Sequence, residues 1–413
     1  MSNAENHAGA DRNPQPRSWI TGCVRDRAGL HNLALEWSQL LDRSGCENVF
    51  LSFEWISGVE SQWSKGQELF VITVREPLGR LVALAPFCVA PSVAGLRAVR
   101  FLSEPRLAAD HLTLLVEPED LDKKIAEIVQ FLIDHRDRWD YIDLADADAG
   151  SPALLELERQ LSNRGMQASI EKRSVCPYAI LPSSFEQYLA TVSPSVRYNF
   201  RRRLRNLKRQ HNVEVIAVDR GPELESGFNA MVDLHRLRFE QQQTTSAFIT
   251  DKELAFHRGV LHKLAARGWV RLFLLCAGEV VIAALYGFSV GRGFRFYQCG
   301  IHPAWSKFSV GLVLMGCTIE AAILSGHQEY DFLRGAEGYK FQWAKQTRET
   351  ITLCFFDSRP RSRAAALAIW LSKRLRRAKS FWKRVRNAVI STGGGLRRRP
   401  PAAAAAAGKD SGV

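Results

Sequence analysis

The sequence DFLRGAEGYK, which begins at Asp331, gathers side chains that can carry out acid–base chemistry just after an apolar stretch. Residues that follow the C-terminal end of a strand in an α/β unit commonly face a ligand site. Tyr339 can donate a proton to a leaving group, and Asp331 or Glu337 can accept one. Arg334 and Lys340 can hold a phosphate group. A solvated turn with a structural Asp–Arg pair would have the same composition, so this alternative stays open.

A second candidate site lies where a predicted strand, a loop and a helix follow one another. The strand ends at Cys299 and Gly300, and the helix opens at Ser309, Val310 and Gly311. The first amides of a helix are unpaired and lie at the positive end of the helix dipole. Such a helix start binds anions, and pyrophosphate is a frequent ligand. The alternative is an ordinary strand–helix connection.

Two further pairs of residues are candidates for binding a substrate. His235 and Arg238 are three positions apart in a predicted helix and therefore share one face of it. Asp110 and His111 precede a short predicted strand and form the other pair. A core histidine beside a surface arginine is the alternative for the first pair, and a structural role is likewise the alternative for the second pair.

Several classes of protein are not supported by the motifs in the chain. The eight cysteines contain no C-x-x-C pair and the ten histidines no H-E-x-x-H, so no metal site is expected. The sequence has no G-x-S-x-G, no G-x-x-x-x-G-K-[ST] and no G-x-G-x-x-G after a strand. Its N-terminal stretch is polar and no apolar run has the length of a membrane span. We therefore expect a cytoplasmic protein with reduced cysteines.

The positive charge of the chain is concentrated in its tail. The net charge is +13, yet residues 358–413 contain fifteen Lys and Arg and a single acid, so the remainder is nearly neutral. Leucines, Trp370 and Trp382 recur at helical spacing between these basic residues. Such a basic amphipathic helix, over about 361–390, predicts peripheral contact with the anionic inner face of a membrane. Nucleic acid would leave the apolar stripe unused, and packing on the body or on a second subunit is the remaining alternative.

A second basic run lies in the predicted helix 194–210. Seven Lys and Arg occur within thirteen residues, from Arg197 to Arg209, without an acid. A solvated helix face is the usual meaning of such a run. The alternative is an anionic partner, such as the ribose phosphate of CoA, a nucleotide-sugar or tRNA.

An α/β unit is predicted twice along the chain. A hairpin of two strands, 69–75 and 81–89, is followed by further strands, a helix near 121–136 and the strand WDYIDL. A hairpin over 270–290 is followed by a strand, a helix near 310–324 and the strand EYDFLR. A duplicated unit explains this common order. We predict a disordered lead (1–17), two domains (18–175 and 176–357) and a basic tail (358–413).

Several stretches together carry a resemblance to a known family. They are DFLRGAEGYKFQWA from Asp331, Cys176–Leu207, Leu234–Arg238, FLSFEWISGVESQW from Phe50, and Asp110–His111. In this combination, residues 35–357 closely resemble bacterial proteins of the GNAT acyltransferase superfamily. The nearest likeness is to the CelD-like group linked to cellulose and exopolysaccharide synthesis, which is related to the FemAB aminoacyl transferases. The resemblance implies two tandem GNAT-like domains with mixed central sheets flanked by helices, the first one degenerate.

The resemblance also implies a reaction and the residues that perform it. An amine would attack the thioester of an acyl-CoA directly, while amides near Cys299 and Gly300 polarise the acyl carbonyl. The helix start at 309–311 would hold the pyrophosphate, and Tyr339 would protonate the departing thiolate. Asp331 or Glu337 would take the proton of the amine, directly or through water.

We therefore expect an acyl-CoA-dependent N-acyltransferase, with acetyl-CoA as donor and no metal. The expected acceptor is an amino sugar or another precursor of exopolysaccharide, on the basis of the resemblance. Two alternatives stay open. The protein could use an aminoacyl-tRNA donor, as FemAB relatives do, or it could be a non-catalytic, membrane-associated partner of a polysaccharide synthase.

Overall fold

The computed structural model describes residues 19–61, 66–103, 105–242, 250–372 and 374 of the chain. The predicted lead (1–17) and most of the predicted tail lie outside these residues. The strands are β1 Ile20–Val24, β2 Glu68–Leu69, β3 Val71–Arg75, β4 Leu81–Ala85, β5 Phe87–Pro91, β6 Arg97–Phe101, β7 Leu115–Val116, β8 Tyr141–Asp148, β9 Gln167–Ile180, β10 Val213–Val218, β11 Val270–Ala277, β12 Val280–Val290, β13 Gly293–Ile301, β14 Glu329–Asp331 and β15 Gln346–Phe356. The helices are α1 Arg27–Asn32, α2 Ala34–Arg43, α3 Phe53–Ser61, α4 Leu121–Asp134, α5 Pro152–Asn163, α6 Phe185–Thr191, α7 Pro194–His211, α8 Glu223–Gln242, α9 Asp251–Ala266, α10 Val310–Leu324 and α11 over residues 360–372.

Most strands join one mixed sheet with eleven strands. Its order is β10-β11-β12-β13-β14-β9-β15-β8-β6-β5-β2, and a second sheet has the order β1-β3-β4-β7. Alternate residues of β11 and β12 point to opposite faces of the large sheet. Helices α8 and α9 pack on one of these faces, and α6, α7 and α10 pack on the other. The predicted α/β fold, with mixed sheets flanked by helices, is confirmed.

The predicted duplication is visible in the order and pairing of the elements. In the second half, β12 and β13 are antiparallel, α10 follows, and β14 returns parallel to β13. In the first half, β5 and β6 are antiparallel, β7 and α4 follow, and β8 returns parallel to β6. Both halves therefore contain a strand–helix–strand crossover beside an antiparallel pair.

The first predicted hairpin is wrong in one respect. One strand is expected over 81–89, whereas the structure has β4 and β5 in different sheets, separated at Pro86. Proline has no N–H group to donate to a strand ladder, so the ladder is interrupted at this position. The helical spacing of Leu33, Trp37, Leu40 and Leu41 predicts one helix from Leu30 to Arg43, which the structure divides into α1 and α2 at Leu33.

The two halves are joined by a strand that the sequence does not predict. Strand β9 pairs with β14 over 178–180 and with β15 along the rest of its length. Strand β15 pairs on its other side with β8 of the first half. The predicted domain boundary between residues 175 and 176 therefore falls inside β9.

The first half and the helices α8 and α9 also share one hydrophobic core. The indole of Trp55 lies edge-on to the ring of Phe256, with centroids 4.9 Å apart. Phe50 meets Phe288 of β12 in the same manner at 6.2 Å. Each fully buried aromatic side chain stabilises the folded chain by about 1.5–3 kcal/mol, so this contact holds the halves together.

Helix α11 packs against the edge of the first half. Its Ala365 is buried near Tyr141, and Arg361 donates to Asp140 at 2.6 Å. The opposite face exposes apolar side chains at Leu367, Trp370 and Leu371. The rest of the predicted 361–390 helix, apart from residue 374, lies outside the described residues. None of the helices in the described ranges combines the length and apolar character needed to cross a membrane.

Candidate functional site

The site forms where β13 and β14 diverge. The two parallel strands pair only over Gly293–Arg295 and Glu329–Asp331. Beyond Arg295, β13 continues to Ile301 with β12 as its sole partner among the described strands. Because backbone amides and carbonyls require partners, this free edge can bind a ligand in the gap between the strands.

The gap contains a small apolar cavity, which we name the inner cavity. Its volume is about 190 Å³. It is lined by Arg238, Leu285, Phe296, Cys299, Ile301, Gly311, Leu312, Leu314, Met315, Tyr339, Gln342 and Trp343. These residues come from α8, β12, β13 and α10 and from the segment after β14. The cavity therefore fits a short, uncharged group.

The start of α10 closes one side of the inner cavity. Ser309 precedes the helix with φ of 58° and makes no side-chain cap. Within the described residues, the amides of Val310 and Gly311 have no protein acceptor. A Cβ on Gly311 would lie 2.6 Å from Ile301 Cδ1, so glycine allows the helix to approach β13 closely. The unpaired amides of this helix start are the kind of donor that an anion accepts from, and anion binding stays a prediction for this segment.

A second cavity, the outer cavity, adjoins the first and has a more polar lining. Its volume is about 380 Å³. It is lined by Ala108, Asp110, His235, Arg238, Phe296, Tyr297, Gln298, Cys299, Phe332, Leu333, Arg334, Glu337, Tyr339 and Lys340. Arg238, Phe296, Cys299 and Tyr339 line both cavities and so mark their junction. Two ligands that enter the cavities from different sides can meet at these four residues.

Tyr339 stands at this junction, in the segment that follows β14. Burial raises the pKa of its phenol, and the nearby thiol of Cys299 and the Glu337 carboxylate act in the same direction. Its ring lies edge-on to Phe296, with centroids 6.5 Å apart. The phenol is therefore protonated at neutral pH, which is the state that a proton donor requires.

Helix α8 supplies the opposite wall with His235 and Arg238. A hydrogen bond of 3.1 Å joins His235 Nε2 to Gln298 Oε1, and burial lowers the pKa of this histidine to about 4. Arg238 Nη1 donates to Cys299 Sγ at 3.1 Å. Burial raises the pKa of Cys299 although Arg238 opposes this change. The structure thus brings both predicted helix residues to the outer cavity, with a neutral imidazole and a cationic guanidinium.

The charged residues after β14 are engaged in ion pairs. Lys340 is buried, donates to the carbonyl of Arg334 at 2.5 Å and pairs with Glu337 at 3.1 Å. The guanidinium of Arg334 pairs with Asp110 at 2.7 Å and with Asp146 at 3.1 Å. Burial raises the pKa of Asp110, and Arg334 only partly offsets this effect. Arg334 thus joins the two halves of the chain, and a phosphate would have to displace these carboxylates.

Asp331 and His111 lie apart from the junction and line a different cavity. Asp331 is 2% exposed, and its Oδ2 lies 3.3 Å from His111 Nε2. Burial alone would raise the pKa of Asp331, but His111 and nearby arginines outweigh it and hold the pKa at about 2. Burial alone would lower the pKa of His111, but the Asp331 carboxylate outweighs it and raises the pKa. This pair therefore lines a cavity that does not contain Tyr339, whereas Glu337 lines the outer cavity beside it.

The remaining predicted residues have supporting positions. Gly300 packs against α8, where an added Cβ would lie 2.5 Å from the amide nitrogen of His235. Val310 is fully buried in the core. Both residues therefore place the walls of the cavities. In the part of the chain that the structure describes, no group of three or more His, Cys, Asp or Glu side chains is arranged as a metal site.

Several residues of the site were missed by the sequence analysis. Phe296 and Gln298 precede Cys299 in the same strand and line the outer cavity. Their closeness to Cys299 in the predicted strand could have identified them from the sequence. Trp343 belongs to the recognised DFLRGAEGYKFQWA stretch, but no role was assigned to it. Its ring stacks on Tyr188 at 6.4 Å and closes the inner cavity. The role of Asp146 could not be predicted from the sequence, because its partner Arg334 is far away along the chain.

A comparison with known protein families matches the part of the chain that contains the site. Residues 194–341 match the family model of the Acetyltransferase (GNAT) domain. A search of curated proteins returns no match. Among solved structures, FemX is similar, with a TM-score of 0.58 and 9% identity over 78% of this chain and 95% of FemX.

Two further structures are similar at 11% identity and a TM-score of 0.50. One is a conserved protein of unknown function from Bacteroides thetaiotaomicron VPI-5482, with 81% of this chain and 99% of that chain covered. The other is the C-terminal domain (DUF2156) of an Agrobacterium fabrum protein described as a lysylphosphatidylglycerol synthetase, with 83% and 95% covered. At such low identity these likenesses concern the fold alone. They agree with the family match, which covers residues 194–341 and contains the junction of the two cavities.

Proposed function

We propose that this protein is an acyl-CoA-dependent N-acyltransferase whose donor is acetyl-CoA. The observation that carries the proposal is the meeting of an apolar inner cavity and a polar outer cavity at Arg238, Phe296, Cys299 and Tyr339. A transferase with two substrates needs such a junction, because the reacting atoms must come within about 3–3.5 Å of each other.

The inner cavity is the proposed site of the donor. The free amides of Val310 and Gly311, at the positive end of α10, suit a pyrophosphate. The thioester would then extend along the free edge of β13 towards Cys299. Apolar side chains such as Leu285 and Met315 leave about 190 Å³, which favours a short acyl group.

Transfer forms a C–N bond and breaks the C–S bond of the thioester that the donor supplies. Tyr339 is the proposed donor of a proton to the sulfur, since its phenol is protonated and stands at the junction. Glu337, at the outer cavity, is the proposed acceptor of the proton from the amine. Of the two carboxylates predicted for this role, Asp331 has the weaker support, because it lines another cavity.

The acceptor is proposed to be an amino sugar or another precursor of exopolysaccharide. The polar lining of the outer cavity, with the His235–Gln298 hydrogen bond and the Arg238 guanidinium, supports a hydroxyl-rich molecule. The narrower assignment to cellulose or exopolysaccharide synthesis relies on the resemblance to the CelD-like group.

Calorimetric titration with acetyl-CoA, together with an assay of thiol release, tests the proposal. The wild-type chain should bind acetyl-CoA saturably. A Tyr339→Phe variant should bind it with similar affinity but release thiol about 10²–10⁴ times more slowly. Wild-type chain that fails to bind acetyl-CoA at millimolar concentration would contradict the acyl-CoA donor, and full activity in the variant would contradict the role of Tyr339.

An aminoacyl-tRNA donor is the second candidate, and the surface of α7 favours it. Arg201, Arg205, Lys208 and Arg209 are exposed on this helix, and Arg201 alone pairs with a carboxylate among the described residues. Helix α7 packs beside α10, so this basic surface lies near the donor side. Aminoacyl-tRNA binding that falls steeply with salt and is lost in an Arg205→Gln, Arg209→Gln variant would favour this donor.

We also propose that the protein associates with the inner face of a membrane through α11 and the basic residues after it. Trp370 is 50% exposed, and Arg374 lies 4.5 Å from its ring centroid. Leu367 and Leu371 extend the same apolar surface. An aromatic and leucine surface bordered by arginine suits the boundary between lipid headgroups and acyl chains.

A further inference from the structure

A third cavity, the lateral cavity, is lined mainly by the first half of the chain and lies at the place that corresponds to the inner cavity. The inner cavity lies between the start of α10 and the segment after β14. The lateral cavity lies between the start of α4, at Pro118 and Leu121, and the segment after β8, at Gly150 and Ser151. Its volume is about 520 Å³. The duplicated unit has therefore kept a ligand-sized space in both of its copies.

The guanidinium of Arg295 faces this cavity without a carboxylate partner. Arg295 Nη1 donates to the carbonyls of Val290 and Gly293, at 3.2 and 3.3 Å. No carboxylate oxygen of the described residues lies within 4.0 Å of it, and its other N–H groups have no protein acceptor there. Burial lowers its pKa, because the nearby carboxylates offset the loss of water only in part. Arg295 is half-buried and lines the cavity, so an anion there can pair with its guanidinium.

Two more cationic or dipolar groups face the same space. Arg348 pairs with Glu329 at 2.5 Å, but its Nε is buried and has no hydrogen-bond partner among the described residues. The start of α5 also lies at the cavity; its first turn contains no acid, although Ser151 caps the amide of Leu154 and Pro152 has no N–H group. Each of these groups attracts an anion, the first through an unused donor and the second through the helix dipole.

The carboxylates that line the lateral cavity are engaged with protein groups. Asp331 pairs with His111 and accepts from the amide of Leu333. Glu47 accepts from the amide of Arg292 at 3.0 Å. Asp148 accepts from the amide of Gly150 at 2.9 Å. Asp331 and Glu47 are therefore paired with cationic side chains, whereas Asp148 has no ion pair among the described residues, and the positive groups of the cavity are Arg295 and Arg348.

The start of α4 makes the lateral cavity unsuitable for a donor that carries a pyrophosphate. Glu119 and Asp120 stand exposed at the beginning of that helix. Two acids at this position repel a pyrophosphate. The start of α10 has no acid in its first turn and lacks this repulsion. The anionic group of a ligand would instead lie deeper, at Arg295, and Leu114 and Val116 would contact an apolar part.

We propose that the lateral cavity binds a small organic anion, a carboxylate or a phosphate ester, through Arg295 and the Nε of Arg348, near the start of α5. The site is separate from the junction at Tyr339 and does not depend on the proposed transfer reaction. Arg295 lies on β13, whose far end forms the inner cavity, so an occupied lateral cavity would contact the same strand as the donor.

Calorimetric titration of the full chain with inorganic phosphate and, separately, with propionate tests this site. At constant ionic strength, at least one anion should bind to the wild-type chain. Binding should weaken about tenfold or more in Arg295→Met, because charge-assisted hydrogen bonds are lost. Arg295→Lys should keep part of the affinity. Arg271→Met, which removes an arginine of β11 paired with Asp219, is the matched control and should change the affinity by less than about twofold.

Hydrogen–deuterium exchange on the wild-type chain locates the bound anion independently of any variant. The anion should slow exchange at residues 44–48 and 148–153, which border the lateral cavity. Slower exchange at 309–312 alone would place the anion at α10 and overturn the proposal. Unchanged affinity in Arg295→Met, or no binding of either anion to the wild-type chain, would also overturn it.

Discussion

Replacement of Gly300 by alanine tests the packing of β13 against α8. A Cβ at this position would lie 2.5 Å from the amide nitrogen of His235 and 2.7 Å from the carbonyl carbon of Leu234. Both are backbone atoms, so no rotation of a side chain can relieve the contact. Since non-bonded atoms rest at about 3.5–4.0 Å, α8 must move by about 1 Å.

We expect Gly300→Ala to lower the free energy of unfolding by about 1–3 kcal/mol, which is the usual effect of overpacking. The restricted unfolded chain offsets about 0.4–1 kcal/mol of this loss. The shift of α8 also moves His235 and Arg238, and a displacement of about 1 Å in a site can slow a reaction by about 10²-fold. Urea unfolding followed by tryptophan fluorescence measures the first effect, and thiol release from acetyl-CoA measures the second.

Gly259→Ala is the matched control. Gly259 lies in α9, and a Cβ there would have no atom within 4 Å. We expect this variant to be more stable than the wild type by about 0.5–1 kcal/mol, because alanine favours a helix. A Gly300→Ala variant as stable and as active as Gly259→Ala would refute the close approach of β13 and α8.

Three further predictions concern charge and surface. The pKa of Asp331 is lowered from 3.8 to about 2 and that of His111 is raised from 6.5. The stability from Asp331 should therefore be lost as pH falls below about 4, and that from His111 as pH rises past its raised pKa. Urea midpoints of wild type and Asp331→Asn should consequently differ most between these limits, and a constant difference from pH 3 to 9 would contradict the ion pair. Arg238→Met should slow alkylation of Cys299 by iodoacetamide several-fold at pH 8, as mass spectrometry of the peptide can show, because the thiol loses the cation that opposes its raised pKa. Trp370→Ala should reduce co-sedimentation of the full chain with vesicles containing phosphatidylglycerol, and equal sedimentation with and without this lipid would argue against an anionic membrane partner.

The elements that sequence reasoning located well are those with local signals. Ser193 and Pro194 mark the start of α7, so this helix begins where it was predicted. Strand β9 was missed because its first part is exposed on both faces and carries charged residues, and no alternation of apolar residues marks it. Its pairing with β15 depends on residues about 180 positions later in the chain.

The same distinction applies to the site. Cys299, Gly311 and Tyr339 belong to one crossover unit, and their common position at the inner cavity follows from the order of its elements. The partners of Arg334 could not be predicted in this way, because Asp110 and Asp146 come from the first half. Asp331 was placed near Tyr339 by sequence distance, but strand pairing directs it to the lateral cavity.

The position of β15 has a consequence for how the protein can be made. This last strand lies between β8 and β9 and closes the sheet at the centre of the molecule. A ribosome must therefore deliver residue 356 before the first half can complete its sheet. Until then β8 and β9 present unpaired edges, which are sites of aggregation. Recombinant production of either half alone would leave such edges permanently open, whereas a circular permutant that starts with β15 would supply the strand first.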